Sequence, residues 1–345
     1  MKNILNLYLI IFCLFFVAGC SSDDDATPVK LTILKSDLDM KASGGTGTVE
    51  FAATGPVTAK VNVDWCQVTE VTDSKVTISV DVNTGYPGRS TQIVLTDGVS
   101  TQQAIILQEG AIWKYNKDDT EFRIDNEAGE LSVVMSSSLP IEIHIPEAVN
   151  EWLSYELTDE GFNFIVKKNE TGLIRATSVV VKTGERETKY TIMQYNASDL
   201  LGEWGGAAYM YGMGLNNVYG FSPNPTITGS DEDGYTLTLP MVNFIGTSIV
   251  LNMTYSQGMF LIRIPQLQNF KMSGLFAIMV GADENSYYYS GRTLAIAPVL
   301  LKDGSVVLTC VTDVYLMFGL YTTATPSNNS FTGNSIEFPI MQLFR

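Results

Sequence analysis

Short runs of alternating apolar and polar residues dominate this chain. "VTISVDV" (76–82), "TQIVLTDG" (91–98) and "QQAIILQ" (102–108) are rich in β-branched residues and are broken by Gly, Asp or Asn. Residues of this kind at period two predict half-buried strands. "NFIVKK", "ATSVVVKTG" and "KYTIMQ" follow in the same order between 163 and 194. From about 197 the texture changes: "YTLTLPMV", "SIVLNMTY", "MFLIRIP", "GLFAIMVG", "RTLAIAPVLL", "SVVLTCVT", "VYLMFGLY" and "SIEFPIMQLF" are separated by turn material such as "DEDG", "SQG" and "KDG". No segment sustains a 3.6-residue apolar period, so helices should be few and short. The fold class expected is all-β.

The first two groups of strands are copies of one another. Asn83, Arg89, Thr91, Gly98 and Gln108 fall on Asn169, Arg175, Thr177, Gly184 and Gln194 at a constant offset of 86, and Thr101 falls on Glu187. Trp65 answers to Trp152 one residue out of step. A fixed period of this kind marks a duplicated structural unit. Strands of this length with turns every 8–12 residues predict a small antiparallel sandwich for each copy. The loop "NTGYPGRST" (83–91) has glycines, an arginine and Tyr86, as a binding loop would. Its echo "NETGLIRAT" (169–177) keeps the asparagine, a glycine, the arginine and a threonine but has no counterpart of Tyr86. The shared residues are therefore read as the sandwich's own turn, and Tyr86 alone is kept as a ligand candidate.

The tryptophan that ends one strand, the "ISV…N.TG..R" run and the close "LQEG" together resemble the BACON domain, an immunoglobulin-like module of Bacteroidetes surface proteins. Residues 30–110 carry this resemblance well. Residues 111–196 depart from it, closing with "MQYN" and lacking the glycine. The resemblance implies two tandem β-sandwiches near glycan-acting machinery, either binding carbohydrate or serving as spacers. In the third region, residues 197–345, Gly202 and Trp204 precede the first strand in a Gly-x-Trp entry that is similar to that of lipocalin-like barrels. About eight to ten strands in this length suit an up-and-down barrel, with a two-sheet sandwich as the alternative.

The N-terminus changes the picture of where the chain works. Lys2 precedes an apolar run from Leu5 to Val17, too short to span a bilayer. Val17-Ala18-Gly19-Cys20 resembles the lipobox of bacterial lipoproteins, which implies removal of residues 1–19, acylation of Cys20 and an acyl membrane anchor. The acidic run Ser21-Ser22-Asp23-Asp24-Asp25 within the 20–29 linker resembles a surface-export signal, so an outer-membrane lipoprotein at the cell surface is expected. The chain has 21 basic and 37 acidic residues, a net charge of −16. Loss of Lys2 with the leader makes it −17. That balance argues against nucleic acid and against docking of the protein face on anionic headgroups. Of four cysteines, Cys13 would leave with the leader and Cys20 would be lipidated. Cys66 and Cys310 are read as free thiols.

Candidate chemistry is sparse. His144, the only histidine, alternates with Ile141, Ile143 and Ile145 and should point outward, which removes His-rich metal sites and Ser-His-Asp triads. "SDEDG" (230–234) lacks the spaced ligands of a helix-loop-helix calcium site and is read as a hairpin turn. No metal and no cofactor are expected. "DENSYYYSG" (283–291) places Tyr287 and Tyr289 on one strand face and Tyr288 on the other. The pair either forms a sugar platform with Asp283, Glu284 and Asn285 as hydroxyl acceptors or packs into the core. Tyr209 and Tyr211 share a face and would line or fill a barrel interior. Trp65 and Trp152 are read as core anchors, and Trp113 as packing at the junction of the sandwiches. Gln266 and Gln268, after Pro265, share a face expected to meet solvent. The reading that follows is a non-catalytic surface lipoprotein whose spacers present a glycan-binding β domain. The alternative is a structural or adhesion protein that binds another protein or a small apolar ligand, and a hydrolase using two carboxylates comes last.

Overall fold

The computed structural model describes residues 30–116 and 120–345. Cys20, the apolar leader and the acidic linker lie outside the described residues. By compactness the chain forms two units. One is built from the segments ending at Met40, Gly44–Val82 and Arg89–Gln108, the other from Lys41–Ser43, Asn83–Gly88 and Glu109–Arg345. The fold is all-β. Among the described residues the helices are single turns, Glu147–Val149, Ala197–Leu200 and Val242–Ile245, and none is long and apolar enough to cross a membrane.

The first unit has two four-stranded sheets. In one, Thr32–Asp37, Gly45–Ala52, Lys75–Val80 and Cys66–Val71 lie side by side in that order. In the other the order is Asp39–Met40, Thr101–Gln108, Arg89–Thr96 and Thr58–Val61. Inward residues of both, among them Val49, Ile78, Ile93 and Ile106, share one core, as period-two alternation requires. Within the second unit, residues 113–194 repeat this plan strand for strand. Trp113–Tyr115, Gly129–Ser137, Gly161–Val166 and Leu153–Thr158 form one sheet, and Glu121–Ile124, Arg186–Gln194, Arg175–Thr183 and Glu142–His144 the other. Even the parallel edge pair recurs, Asp39–Met40 with Leu107–Gln108 in one copy and Glu121–Ile124 with Thr191–Gln194 in the other. Phe162, Phe164 and Tyr190 interlock edge to face in the second core, with centroids 5.1–6.0 Å apart. Ile143 is buried and His144 exposed, 3.7 Å from Glu142.

The remaining strands share one antiparallel sheet of fourteen. Its path runs from Gly202–Glu203 through Thr226–Ser230, Gly234–Met241, Thr247–Ser256, Met259–Arg263, Thr293–Leu300 and Val306–Cys310 to Phe331–Phe344. It continues through Tyr315–Tyr321 and Leu275–Ala282 to Gln266–Met272. The path is open, so the closed barrel expected as one alternative is not formed. The reason lies in Phe331–Phe344, long enough to take more than two neighbours. Gln342 pairs with both Ala207 and Thr309, and Glu337 with both Tyr211 and Met317. One edge therefore holds Gly205–Gly212, while Val306–Cys310 and Tyr315–Tyr321 follow each other along the other. The sheet branches at this strand instead of simply closing. Trp204 is buried at the branch, its indole N–H donating to Leu200 O at 2.9 Å and its ring covered by the Arg345 guanidinium at 4.2 Å.

Gln266 and Gln268 do not face solvent as the sequence suggested. Thr247–Ser256 pairs with its second neighbour only through residues 254–256, which leaves Val250 and Asn252 open on that edge. The two glutamines fill the gap with their side-chain amides. The Val250 N–H donates to Gln268 Oε1 at 2.9 Å, and Gln268 Nε2 donates to Val250 O at 3.1 Å. Asn252 and Gln266 exchange the same pair at 2.8 and 2.7 Å. Each carboxamide stands in for a peptide group of a missing strand, which backbone groups at a sheet edge require. Gln268→Ala should lower the stability of this region by about 1–2 kcal/mol, a fall of a few degrees in its unfolding midpoint. Faster hydrogen exchange at the Val250 amide is the direct readout, and unchanged exchange would show the carboxamide to be dispensable.

Candidate functional site

The loop that looked like a binding site is a self-satisfied turn in both copies. Asn83 Nδ2 donates to Pro87 O at 3.0 Å, and Asn169 Nδ2 to Leu173 O at 2.8 Å. Their Oδ1 atoms accept the N–H groups of Gly85 and Thr171. Arg89 donates to Val82 O and Arg175 to Lys168 O, each at 3.2 Å. Gln108 and Gln194 donate to Asp81 O and Lys167 O. The arginines lie over the rings of Trp65 and Trp152, at 4.4 and 5.7 Å. The asparagine, arginine and glutamine identities thus keep these backbone partners 86 positions on. What is conserved between the copies is backbone support, not a ligand contact. Tyr86, outside this set, is 70% exposed with the Arg186 guanidinium 5.7 Å from its ring.

A different site forms on the outer face of the branched sheet. Ile278, Val280, Ala282, Met317 and Tyr321 make a small core there, separate from the large one, with Phe276, Tyr289, Tyr315 and Phe331 packed around it. The segment after Ala282 folds back over this core. Asp283 sets the turn, its Oδ1 accepting the N–H groups of Asn285 and Ser286 at 2.7 and 2.8 Å, while its Oδ2 accepts the Tyr288 hydroxyl. A cavity of about 520 Å³ opens beside it, lined by Tyr211, Asp283, Glu284, Asn285, Ser286, Tyr287, Tyr315, Asn328 and Glu337.

Glu337 organises the cavity. Its Oε2 accepts the Tyr315 hydroxyl at 2.8 Å and its Oε1 the Tyr287 hydroxyl at 3.2 Å. Burial first, and then the neighbouring carboxylate, raise both phenols above their ordinary range, so at neutral pH they remain protonated donors. Tyr287 is 38% exposed and leans edge-on against Phe331 at 5.5 Å. Tyr289 packs against Tyr321 at 6.1 Å and donates to Asn328 Oδ1 at 2.6 Å. Tyr288 packs on the large core instead, under Arg292. Gly319 makes room beneath: a Cβ there would stand 2.8 Å from the ring of Tyr321. Among the described residues the buried Tyr321 hydroxyl finds no hydrogen-bond partner.

Of the residues singled out from sequence, Asp283, Asn285, Tyr287 and Tyr211 come together at this cavity, and Glu284 with them. Tyr289 stands behind it through Asn328. Asp283 is not a free hydroxyl acceptor, because both its oxygens are engaged within its own turn. Tyr209 and Tyr211 do not line or fill a barrel interior. Ala208 and Met210 take the core face of that strand, so the tyrosines point outward. Tyr209 donates to Asn216 at 2.5 Å, outside the cavity lining, and Tyr211 is 54% exposed. The sequence reading missed Tyr315, Asn328 and Glu337. The one signal for Glu337 was its place as the sole charge within "SIEFPIMQLF".

The other candidates take structural places. "SDEDG" is a hairpin turn in which Asp231 accepts the Tyr235 hydroxyl at 2.8 Å, and burial with this bond pushes the phenol up to about 12. Trp113 packs against the core of residues 113–194 and beside Tyr115 at 5.1 Å. Trp65 and Trp152 each pack against the core of their own sandwich. Cys66 and Cys310 are free. Among the described residues no group of three or more His, Cys, Asp or Glu is placed to hold a metal ion.

Comparison with known proteins adds one assignment. Residues 55–109 match the family model described as "BACON: Putative binding domain, N-terminal", which spans the first sandwich from Thr58–Val61 to Thr101–Gln108. That stretch of the chain is similar to a BACON module, a match that its two-sheet sandwich fits. No curated protein matches the chain. Among solved structures, a chimeric titin tandem aligns at 8% identity and a TM-score of 0.30, covering 50% of this chain and 99% of that one. A fragment of three titin immunoglobulin domains aligns at 10% and 0.28, covering 86% and 98%. An endo-fucoidan hydrolase of glycoside hydrolase family 107 aligns at 11% and 0.26, covering 48% of this chain and only 29% of its own length. At these scores nothing about function follows from the three.

The Asp283 turn has a definite pH dependence. The Tyr288 hydrogen bond, followed by the backbone amides, holds this carboxyl below its ordinary 3.8. A depressed acid stabilises the fold above its unfolded pKa and loses that contribution as pH falls through the folded value. The Asn285 and Ser286 amide signals should therefore titrate with a midpoint below 3.8, and Asp283→Asn should remove that titration. A midpoint at or above the ordinary value would contradict the arrangement.

Proposed function

We propose that this protein is a non-catalytic cell-surface lipoprotein, held by an acyl anchor on Cys20, whose C-terminal sheet binds glycan in the Glu337 cavity. The observation that carries the reading is the pairing of partly exposed tyrosine rings, Tyr211 and Tyr287, with a polar rim of Glu337 and Asn328, each held by a tyrosine hydroxyl, and Asn285. Ring faces take the C–H surfaces of sugars, and oriented carboxylates and amides take their hydroxyls. A volume near 520 Å³ lies within the range of small-ligand sites. The sandwiches, whose repeated residues are committed to their own turns, act in this reading as spacers between the anchor and the site.

Full-length protein in detergent, applied to a glycan array, should bind at least one glycan. Tyr211→Ala and Tyr287→Ala should each weaken that binding by about fivefold, as expected for loss of one stacking ring, with little change in stability for the exposed Tyr211. An array with no binding would overturn the glycan reading in favour of a protein or apolar ligand, and intact binding by both variants would move the site elsewhere.

A further inference from the structure

The cavity's charge selects among glycans. Its lining holds three carboxylates, Asp283, Glu284 and Glu337, and three tyrosines, Tyr211, Tyr287 and Tyr315, but no lysine, arginine or histidine. A neighbouring cation, Arg292, stacks at 4.7 Å on Tyr288, whose ring is turned to the large core. Its charge acts on Asp283, an acid already engaged in its own turn. Glu337 has no basic partner among its hydrogen bonds, only the hydroxyls of Tyr287 and Tyr315. Each bond fixes one oxygen and leaves it a further lone pair.

A uronate or sulfate entering this space would meet like charge with no cation to pair with it, the arrangement by which sites reject wrong partners. An ammonium group meets the opposite situation. A fixed carboxylate offers it a charge-assisted hydrogen bond, and tyrosine faces attract it through their quadrupole. The register brings these together, because Tyr211 and Glu337 are direct cross-strand partners and so share a face at close range. The side-chain amides Asn285 and Asn328 supply acceptors and donors for ring hydroxyls, which a lysine side chain would leave unused.

We infer that the ligand is an amine-bearing glycan, a chain with unsubstituted hexosamine units whose ammonium group binds Glu337 beside the rings of Tyr211 and Tyr287. This inference rests on the glycan reading above, and the experiment separates the two. Calorimetry on full-length protein in detergent would compare a glucosamine oligomer with its N-acetylated counterpart and with a uronate oligomer, at a pH that keeps the amine charged. The amine oligomer should bind about tenfold more tightly than the N-acetyl form, the advantage should shrink with added salt, and the uronate should not bind. Glu337→Gln keeps an acceptor oxygen for the tyrosine hydroxyls and should erase most of the preference while leaving the unfolding midpoint close to wild type. Tyr211→Ala, at an exposed position, should lower amine binding without affecting the fold. Equal binding of the amine and N-acetyl forms, or a preference that survives both substitutions, overturns the amine inference and leaves the glycan reading standing. No binding of the amine oligomer also overturns it, and a blank glycan array alongside removes both. A lysine-rich peptide that binds as tightly as the amine oligomer overturns it in favour of a protein partner.

Discussion

Backbone amides at strand edges must find partners, and this chain's organisation follows from how they do so. A sheet that closes on itself removes its edges, and a sheet that stays open must cover them. The C-terminal sheet stays open as a backbone ladder, and it covers the exposed stretch of Thr247–Ser256 with the carboxamides of Gln266 and Gln268. The sandwiches meet the same demand at their turns, where Asn83 and Asn169 bind the loop backbone and Gln108 and Gln194 reach across to the carbonyls of Asp81 and Lys167. Side-chain amides do the work of peptide groups in all these places. Asparagine and glutamine suit it because each carries a donor and an acceptor in peptide geometry.

The cavity is a consequence of the same open sheet. Phe331–Phe344 accepts Gly205–Gly212 on one edge and two successive strands on the other. That branching extends the sheet beyond the large core, so Leu275–Ala282 and Tyr315–Tyr321 expose a second apolar face. The small core of Ile278, Val280, Met317 and Tyr321 covers this face only with the help of the folded-back segment that Asp283 nucleates. Glu337 sits at the seam, on the strand where both halves meet, and its two tyrosine partners come from the covering segment and from the neighbouring strand. Positioning of the acid is thus inherited from the topology. The tyrosines then hold its carboxylate in a fixed orientation, which a solvated glutamate would lack.

Period-two patterning and a repeat offset were enough to read the sandwiches, because those signals are local and Trp, Arg, Asn and Gln recur at matched spacing. They were also enough to place Tyr287 and Tyr289 opposite Tyr288, since alternation alone decides it. The role of Gln266 and Gln268 was not legible: two polar residues on one strand face look the same whether they meet water or a neighbouring strand's backbone. Nor was Glu337. Its partners are 22 and 50 positions away, and only the branched register brings them together. The outward direction of Tyr209 and Tyr211 was missed for a related reason. A barrel was assumed, and in a barrel the inner face is the one left to find.

Carboxylates in a groove with tyrosines invite comparison with a glycosidase, and the hydrogen bonds of Asp283 and Glu337 argue against it. Such an enzyme needs one acid kept protonated by an apolar setting and another left free as base or nucleophile. Asp283 is driven the other way, below its ordinary range by the Tyr288 hydroxyl and two amides, so it has no proton to give at neutral pH. Glu337 already accepts a hydroxyl on each oxygen, which spreads its charge and weakens it as a nucleophile. The tyrosine donors are held protonated by the same burial and the same carboxylate, so they cannot act as bases either. Asp283, Tyr287 and Tyr315 are each held in one protonation state. That suits recognition, where a constant field and fixed acceptors give selectivity.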